Sequence, residues 1–226
     1  MKVLAVEAST GLLSLAVADD STILRYRNIS LGRRLCSQLV PEVNRILMKA
    51  GISLSDIEGF AVGLGPGSFT SLRVGIAAVK AFAFALGKPI VGVSSLDILA
   101  MSILEEDVRI CAISDAKRNL LYTGFYRKRQ AHLKREGKYF LIGRDELLKK
   151  ITHNTIFVGD GIPLLKRWFT DVNMGVAIRF ADEKFWKPSA RCLAILATER
   201  FNKQDYDNPF KLSPLYLYSA DCQVRG

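Results

Sequence analysis

The sequence predicts an α/β protein made of two duplicated lobes, each a mixed sheet flanked by helices, and three observations predict it. The first is a repeated hairpin. Lys2 to Ala18 reads as an apolar strand (Val3-Leu4-Ala5-Val6), an acid with a polar turn (Glu7-Ala8-Ser9-Thr10-Gly11), then a second strand from Leu12 to Val17. Arg109 to Tyr126 repeats it, with Ile110-Cys111-Ala112-Ile113, the turn Asp115-Ala116-Lys117-Arg118-Asn119, and a strand from Leu120 to Phe125. Short apolar runs divided by turn residues signal hairpins, and the acid-Ala pair falls at the same place in both copies. The second observation is a repeated strand, glycine turn and helix. Phe60-Ala61-Val62 runs into Gly63-Leu64-Gly65-Pro66-Gly67, and Ile156-Phe157-Val158 runs into Gly159-Asp160-Gly161, with helical sequence from Leu164. The third is their order, hairpin before glycine turn in both halves, which makes duplication the economical account. The acidic break at Glu105-Glu106-Asp107 sets the expected division, with residues 1–104 in the first lobe and 105–226 in the second. The end of the chain, Ser213 to Gly226, is free on this reading to return to the first lobe.

At 226 residues, with 49% apolar and 24% charged side chains, the chain has the composition of a globular protein. The best membrane candidate, Val74 to Val93, contains Lys80, Lys88 and Pro89 and fails on charge and continuity. Between Met1 and Glu7 stand only Lys2 and four apolar residues, too little for a signal peptide, so a cytoplasmic protein is expected. Cys36, Cys111, Cys192 and Cys222 form no Cys-x-x-Cys pair, which argues against a zinc site or a disulfide framework. The net charge of +10 favours polyanions without specificity. Much of the excess lies at Arg127, Lys128, Arg129, Lys134, Arg135 and Lys138, in a strand-to-strand connection. That run reads either as a solvated hairpin tip or as a polyanion contact.

The sharpest local signal is Gly63-Leu64-Gly65-Pro66-Gly67-Ser68-Phe69-Thr70-Ser71-Leu72-Arg73-Val74-Gly75. Glycines after a strand permit positive φ and close backbone approach, and Ser68 or Thr70 can cap the following helix. No Lys-Ser or Lys-Thr follows, so the motif is not a Walker A loop, and a phosphate cradle and a tight structural turn both fit. The helix behind it carries Lys80 as its one polar side chain between Val74 and Leu86. A helix apolar nearly all round needs cover on both sides. The preceding helix, read from Arg33 to Ala50, also has wide apolar coverage, with Leu35, Leu39, Val43, Ile46 and Ala50 on one side and Cys36, Val40 and Leu47 beside them. Either the two helices cover each other or a partner's helices dock on them.

Gly65-Pro66-Gly67-Ser68-Phe69-Thr70 with Leu72-Arg73-Val74-Gly75 resembles the signature of TsaB (YeaZ) and its paralogue TsaD, families of the actin-like (ASKHA, RNase H-like) superfamily. The opening Val3 to Thr10, Gly92-Val93-Ser94-Ser95-Leu96, Asp115-Ala116-Lys117-Arg118 with Tyr122, Gly159-Asp160-Gly161 and Pro214-Leu215-Tyr216-Leu217 fit the same resemblance. TsaD holds a metal through a His-x-x-x-His pair on a first-lobe helix. The matching stretch here, Ile29 to Pro41, has no histidine, and His132 and His153 lie in the second half, which points to the TsaB branch and to no metal site. The family opening Asp-Thr-Ser is Glu7-Ala8-Ser9 here, which argues against ATP hydrolysis.

The resemblance implies a non-catalytic scaffold that binds TsaD, with the ATPase TsaE joining, for threonylcarbamoyl transfer to the adenosine beside the tRNA anticodon. It implies a partner interface at Cys36, Leu39, Val40, Val43, Leu47, Leu72, Ile76, Val79, Lys80 and Ala83, usable also by a homodimer. It requires no cofactor. It admits ATP or ADP at the cleft or subunit interface, near Glu7, Ser9, Thr10, Gly65, Gly67 and Ser68. Contact with tRNA is expected indirectly or through the basic run, and none with a membrane. The alternative is an ATP-dependent small-molecule kinase or ATPase using Glu7, Asp115 and Asp160. A peptidase is disfavoured because no His-Glu-x-x-His motif is present.

Overall fold

In the computed structural model, residues 1–20, 22–130, 132–169 and 175–218 are described. The apolar runs of the first hairpin become β1 (Lys2–Glu7) and β2 (Leu12–Asp19), which pair antiparallel with Val6 opposite Leu15. A third strand, β3 (Thr22–Ser30), extends the meander beyond what the apolar pattern showed. Next come α1 (Leu35–Ala50), β4 (Gly59–Gly63), α2 (Phe69–Leu86), β5 (Ile90–Val93) and α3 (Ser95–Met101). The sheet order is β3-β2-β1-β4-β5, with β4 parallel to both β1 and β5.

The second half repeats this plan. β6 (Val108–Asp115), β7 (Leu121–Arg129) and β8 (His132–Arg135) form the meander, and β9 (Phe140–Ile142) adds to β7. They are followed by α4 (Arg144–Lys150), β10 (Thr155–Val158), α5 (Ile162–Trp168), β11 (Ile178–Phe180) and α6 (Ala190–Asn202). The order β11-β10-β6-β7-β8, with β10 parallel to β6 and β11, matches the first sheet strand for strand.

Alternation along each strand splits its side chains between two faces. On one face of the first sheet Leu4, Val6, Leu15, Phe60 and Val62 pack with Leu39, Val43, Ile76 and Val79 of α1 and α2. The other face is lined by Val3, Ala5, Ala16, Ala18 and Ala61, small enough for α6 to lie close through Ala190, Leu193, Ala194 and Ala197. In the second half Cys111, Ile113, Phe125 and Phe157 pack with Leu147 of α4 and Ile162 and Leu165 of α5.

The chain groups into two compact units, Met1–Ile98 with Pro188–Leu215 and Leu99–Lys187 with Tyr216–Gly226. The cut therefore falls inside α3 rather than at Glu105, and α6 joins the first unit because its alanines fill that sheet's small-residue face. Two backbone bonds tie the segment after α6 into the same unit, Asp207 N–H to Ile90 C=O and Leu215 N–H to Leu64 C=O. Residues 219–226, including Cys222, lie outside the described residues.

Two helix starts differ from the sequence reading. Ile29 and Ser30 belong to β3, and α1 begins only at Leu35 after a 3-10 turn at Gly32–Arg34. The β-branched and aromatic residues of Thr22–Ser30 pair with β2, and Gly32, at φ +51°, breaks the strand. α5 starts at Ile162, with Pro163 in its first turn, where a missing N–H is harmless.

Candidate functional site

The site foreseen around the glycine motif is built from three segments of the first unit, the β1–β2 turn, the loop entering α2, and the start of α3. Glu7 ends β1 and is 1% exposed. One carboxylate oxygen accepts the Ser9 N–H and the other accepts the Ser95 hydroxyl at 2.9 Å. Burial drives the Glu7 pKa upward, and hydrogen bonds from the Ser9 and Ala8 turn and from Ser95 only partly oppose it. The Ser9 hydroxyl, buried beside it, makes no hydrogen bond of sound geometry. We therefore credit the Ser9 N–H and Ser95 with holding the carboxylate.

The glycines explain how a carboxylate fits there. A Cβ on Gly63 would lie 1.8 Å from Glu7 Oε2, and one on Gly67 would lie 2.1 Å from the Ser9 carbonyl oxygen. Gly65 has φ +87°, and the Ser95 N–H and Ser94 hydroxyl both donate to its carbonyl, at 2.8 and 3.2 Å. The Ser68 N–H donates to the Ser9 carbonyl at 2.7 Å. Here the close approach the glycines permit is made by the protein's own turn. The motif forms a tight turn, and the start of α2 at Ser68, Phe69 and Thr70 stays exposed.

The residues named for a nucleotide are thus brought together but differ in access. Glu7, Ser9 and Gly65 are buried, Thr10 and Gly67 are half-buried, and Ser68 is exposed. Both oxygens of Glu7 are engaged by the protein's own donors. The expected caps are also absent. Ser68 occupies the N-cap position of α2 without a side-chain cap bond, its hydroxyl meeting that of Ser71 at 3.0 Å instead.

The equivalent turn of the second unit is organised differently. Asp160, in the turn after β10, accepts the Ser114 hydroxyl at 2.8 Å and the Asp115 N–H at 3.0 Å. Burial raises its pKa, with those two bonds pulling against the shift. Asp115 accepts the Lys117 N–H at 2.8 Å and pairs with the Lys117 ammonium at 2.7 Å. Burial would raise the Asp115 pKa too, but the Lys117 bonds overrule it and the net shift is downward. Lys117, Arg118 and Asn119 all take positive φ, 66°, 53° and 56°, a left-handed turn built without glycine. Among the described residues no three His, Cys, Asp or Glu side chains gather into a group able to hold a metal ion.

The partner-interface expectation needs correction residue by residue. Leu39, Val43, Leu47, Ile76, Val79 and Ala83 are buried in the first unit's own core and Leu72 is buried too, all at 4% exposure or less. Cys36 and Val40 are exposed, and Lys80 is half-buried with its ammonium on the Leu212 carbonyl at 3.2 Å. Beyond Cys36 and Val40, the sequence reading missed the side chains the helices do present. On α2 these are Phe69, Arg73, Ala77, Ala81, Phe84 and Ala85, a stripe at about four-residue spacing. On the neighbouring α1, Cys36, Val40, Asn44 and Met48 make a second stripe. Phe84 is 72% exposed, Met48 77%, and Phe210, 79% exposed, meets Phe84 edge-on at 6.3 Å. The signal for Phe84 was already in the sequence, because a helix apolar all round has an apolar outer side as well.

α2 is the one described helix long and apolar enough to cross a membrane by length and composition. Its inner side is packed into the first unit's core.

Taken together, the two strand-for-strand equivalent sheets and the acid turn beside a glycine loop define a duplicated actin-like protein. A family model described as "TsaD: tRNA N6-adenosine threonylcarbamoyltransferase" matches residues 31–223. The "tRNA threonylcarbamoyladenosine biosynthesis protein TsaB" of Bacillus subtilis is 30% identical over 228 residues, covering 100% of this chain and 97% of its own length. The solved structure of YeaZ from Pseudomonas aeruginosa matches with a TM-score of 0.80 at 26% identity, over 96% of this chain and 99% of that one. A ROK family protein from Streptococcus pneumoniae, at TM-score 0.50 and 10% identity over 90% of this chain and 100% of that one, shares the fold alone. The chain belongs to the TsaB (YeaZ) family.

Proposed function

We propose that this chain acts in tRNA threonylcarbamoyladenosine biosynthesis as a non-catalytic subunit that docks a TsaD-type paralogue through the outward stripes of α1 and α2. The observation that carries the reading is α2 itself. One side of it fills the core while Phe69, Ala77, Ala81 and Phe84 remain outside. Burying a large apolar side chain contributes about 1.5–3 kcal/mol, so a handful of such residues suffices to hold a complex. Small Ala77 and Ala81 between the two phenylalanines let another helix approach closely. A paralogue of the same fold brings an equivalent helix pair, and without one a second copy of this chain uses the same stripes.

In the assembled complex this chain orders its partner's site, TsaE joins, and tRNA is the substrate acted on elsewhere. The enclosed state of Glu7 supports the non-catalytic part of the reading. No cofactor is needed for the docking, and ATP or ADP enters only as an accessory ligand.

The test is light scattering of the chain alone and mixed with a purified TsaD-type protein. An equimolar complex is expected, weakened at least about tenfold by Ala81→Asp with Phe84→Asp, since a buried unpaired carboxylate costs well over 1.4 kcal/mol. A folded double variant that binds as well as the wild type would overturn the docking surface.

A further inference from the structure

We infer that the second unit carries an RNA-backbone contact, a cationic cleft at the edge of its sheet where β6, β10 and β11 begin and β7 ends. The cleft has a volume of about 590 Å³ and is lined by Arg109, Arg127 and Arg179 against one carboxylate, Asp107, together with Thr152 and His153. Three strands supply the arginines, and the sheet register aligns two of them. Arg109 on β6 lies directly opposite Arg127 on β7, and Arg127 lies directly opposite Lys134 on β8. Residues directly opposite share a face, so Lys134, Arg127 and Arg109 form a row of cations across three adjacent strands, about 5 Å apart. Like charges in that position repel, and the local compensation is thin.

One carboxylate, Glu136, bridges the pair through Nε of Arg109 at 2.9 Å and Nε of Arg127 at 3.1 Å. It thereby occupies one edge of each guanidinium and leaves other N–H groups of the five-donor Arg127 side chain, 37% exposed, for a ligand, while Arg109 is 13% exposed and positions Glu136. Burial alone would raise the Glu136 pKa, but the two arginine bonds hold it below the usual carboxylate range. Arg109 is held in place by stacking over Phe125 at 4.7 Å and by a bond to the Lys150 carbonyl, so the row is preorganised. Arg179 approaches from β11, anchored by Glu105 at 2.7 Å.

The row runs into the basic hairpin that the sequence singled out. Arg129, Lys134, Arg135 and Lys138 are exposed there and extend the positive surface away from the cleft. Lys128 is the exception. It is 4% exposed, with its ammonium on the Ile103 carbonyl at 2.6 Å, and holds the strand rather than the surface.

A repeated array of cations in register matches a repeated array of phosphates better than a single small anion. Single-stranded or looped RNA offers such an array at variable spacing, and each contact releases counterions. Among the described residues the aromatics beside it are already covered by cations, Phe125 by Arg109, Phe140 by Lys150 at 4.3 Å and Tyr139 by Arg135 at 4.2 Å, so the contact reads backbone charge and not bases. The choice of RNA rests on the proposed function. The test uses this chain alone, so its failure leaves the docking surface untouched.

Binding of an unmodified tRNA transcript to the purified chain is measured by fluorescence anisotropy across a salt series. Two triple variants of equal charge are compared: Arg127→Gln, Lys134→Gln, Arg179→Gln in the cleft and the cation row beside it, and Lys49→Gln, Lys203→Gln, Lys211→Gln in the first unit. Removing about three phosphate contacts flattens the log–log salt slope by about 2–3 and weakens binding at least about tenfold near 0.1 M salt. The control triple is expected to change affinity less than about twofold. Because Arg127 bonds Glu136, the double variant Lys134→Gln, Arg179→Gln, exposed at both positions, repeats the measurement without touching that bridge, and melting curves confirm folding. Equal losses in cleft and control variants would reduce the effect to net charge and overturn the site. So would a wild-type chain that binds no transcript, or displacement of the transcript by micromolar ADP or inorganic phosphate, which would make the cleft a small-anion site.

Discussion

The β1–β2 turn and the β6–β7 turn occupy the same place in two sheets of identical order, yet one is sealed and the other is not. In the first unit Glu7 is enclosed because Gly63 and Gly67 remove the side chains that would keep the segments apart. In the second, Asp115 stays partly exposed beside Lys117, on a left-handed turn that uses Lys117, Arg118 and Asn119 where glycine would be the unstrained choice. The same topology has thus been spent once on a rigid, closed acid and once on a charged turn. Duplicated chemistry at the level of sequence, an acid followed by alanine, does not carry duplicated access. A buried carboxylate with both oxygens bonded inside the protein differs in access from a partly exposed one beside a lysine.

The comparison breaks most severely at the glycines. Gly67→Val is expected to cost about 3 kcal/mol or more in urea unfolding, because its Cβ would meet the Ser9 backbone, which has no flexible end to yield. Gly137→Val serves as the contrast in the second unit. It strains a positive φ of 83° but meets no atom within 4 Å, so a loss of about 1–2 kcal/mol is expected there. Similar losses at both positions would mean that the first turn is not sealed by close packing.

A pH series sharpens the contrast between the acids. The Glu7 pKa is raised in the folded protein, so the folded state holds its proton more tightly than the unfolded chain does. Stability from this group is therefore full below the unfolded value of about 4.5 and declines as pH rises through the folded value. Glu7→Gln should flatten that decline and leave the protein at least as stable at pH 7, since an amide can still accept from Ser9 and bond Ser95. A clear loss of stability at pH 7 would show that the carboxylate charge itself is required.

Asp115 has the opposite sign. Its pKa is lowered, so its contribution is present above about 3.8 and is lost as pH falls through the folded value. Screening at this partly exposed pair keeps the cost of Asp115→Asn near pH 7 to about 0.5–1 kcal/mol. The smallest effect is expected at the turn's centre. Arg118→Gly should stabilise by about 0.5–1 kcal/mol, relieving a left-handed conformation that an L-residue adopts at a cost, and a loss there would show that its side chain anchors the turn.

Much of this fold was legible because apolar runs with turn residues between them specify hairpins, and their repetition at matched spacing specifies duplication. The glycine motif was legible as a close approach but not as to what approaches. The Ser9 bond is local to the turn, but Ser95 closes on Glu7 from a segment far along the chain, and no local pattern announces that meeting. The interface expectation named mostly side chains that the protein itself buries, for an instructive reason. Choosing the most hydrophobic positions of α1 and α2, such as Leu39, Val43 and Val79, selects the side that the protein's own sheet covers first. Phe84 and Met48 were equally visible as apolar residues, but only the sheet's position shows that they point outward. Lys128 was hidden for a similar reason, since its acceptor, the Ile103 carbonyl, lies in a different segment from the charge run around it.

The central claim is that this chain supports tRNA modification without performing chemistry. It is tested most directly by reconstituting threonylcarbamoyladenosine formation from a TsaD-type transferase, TsaE, a threonylcarbamoyl-adenylate synthase, ATP, threonine, bicarbonate and unmodified tRNA, with and without this chain. The account predicts modified adenosine only when the chain is added, at the same rate with Glu7→Gln and Asp115→Asn as with the wild type, and markedly less with Ala81→Asp, Phe84→Asp. Modification indifferent to the chain, or abolished by Glu7→Gln in a folded variant, would contradict it.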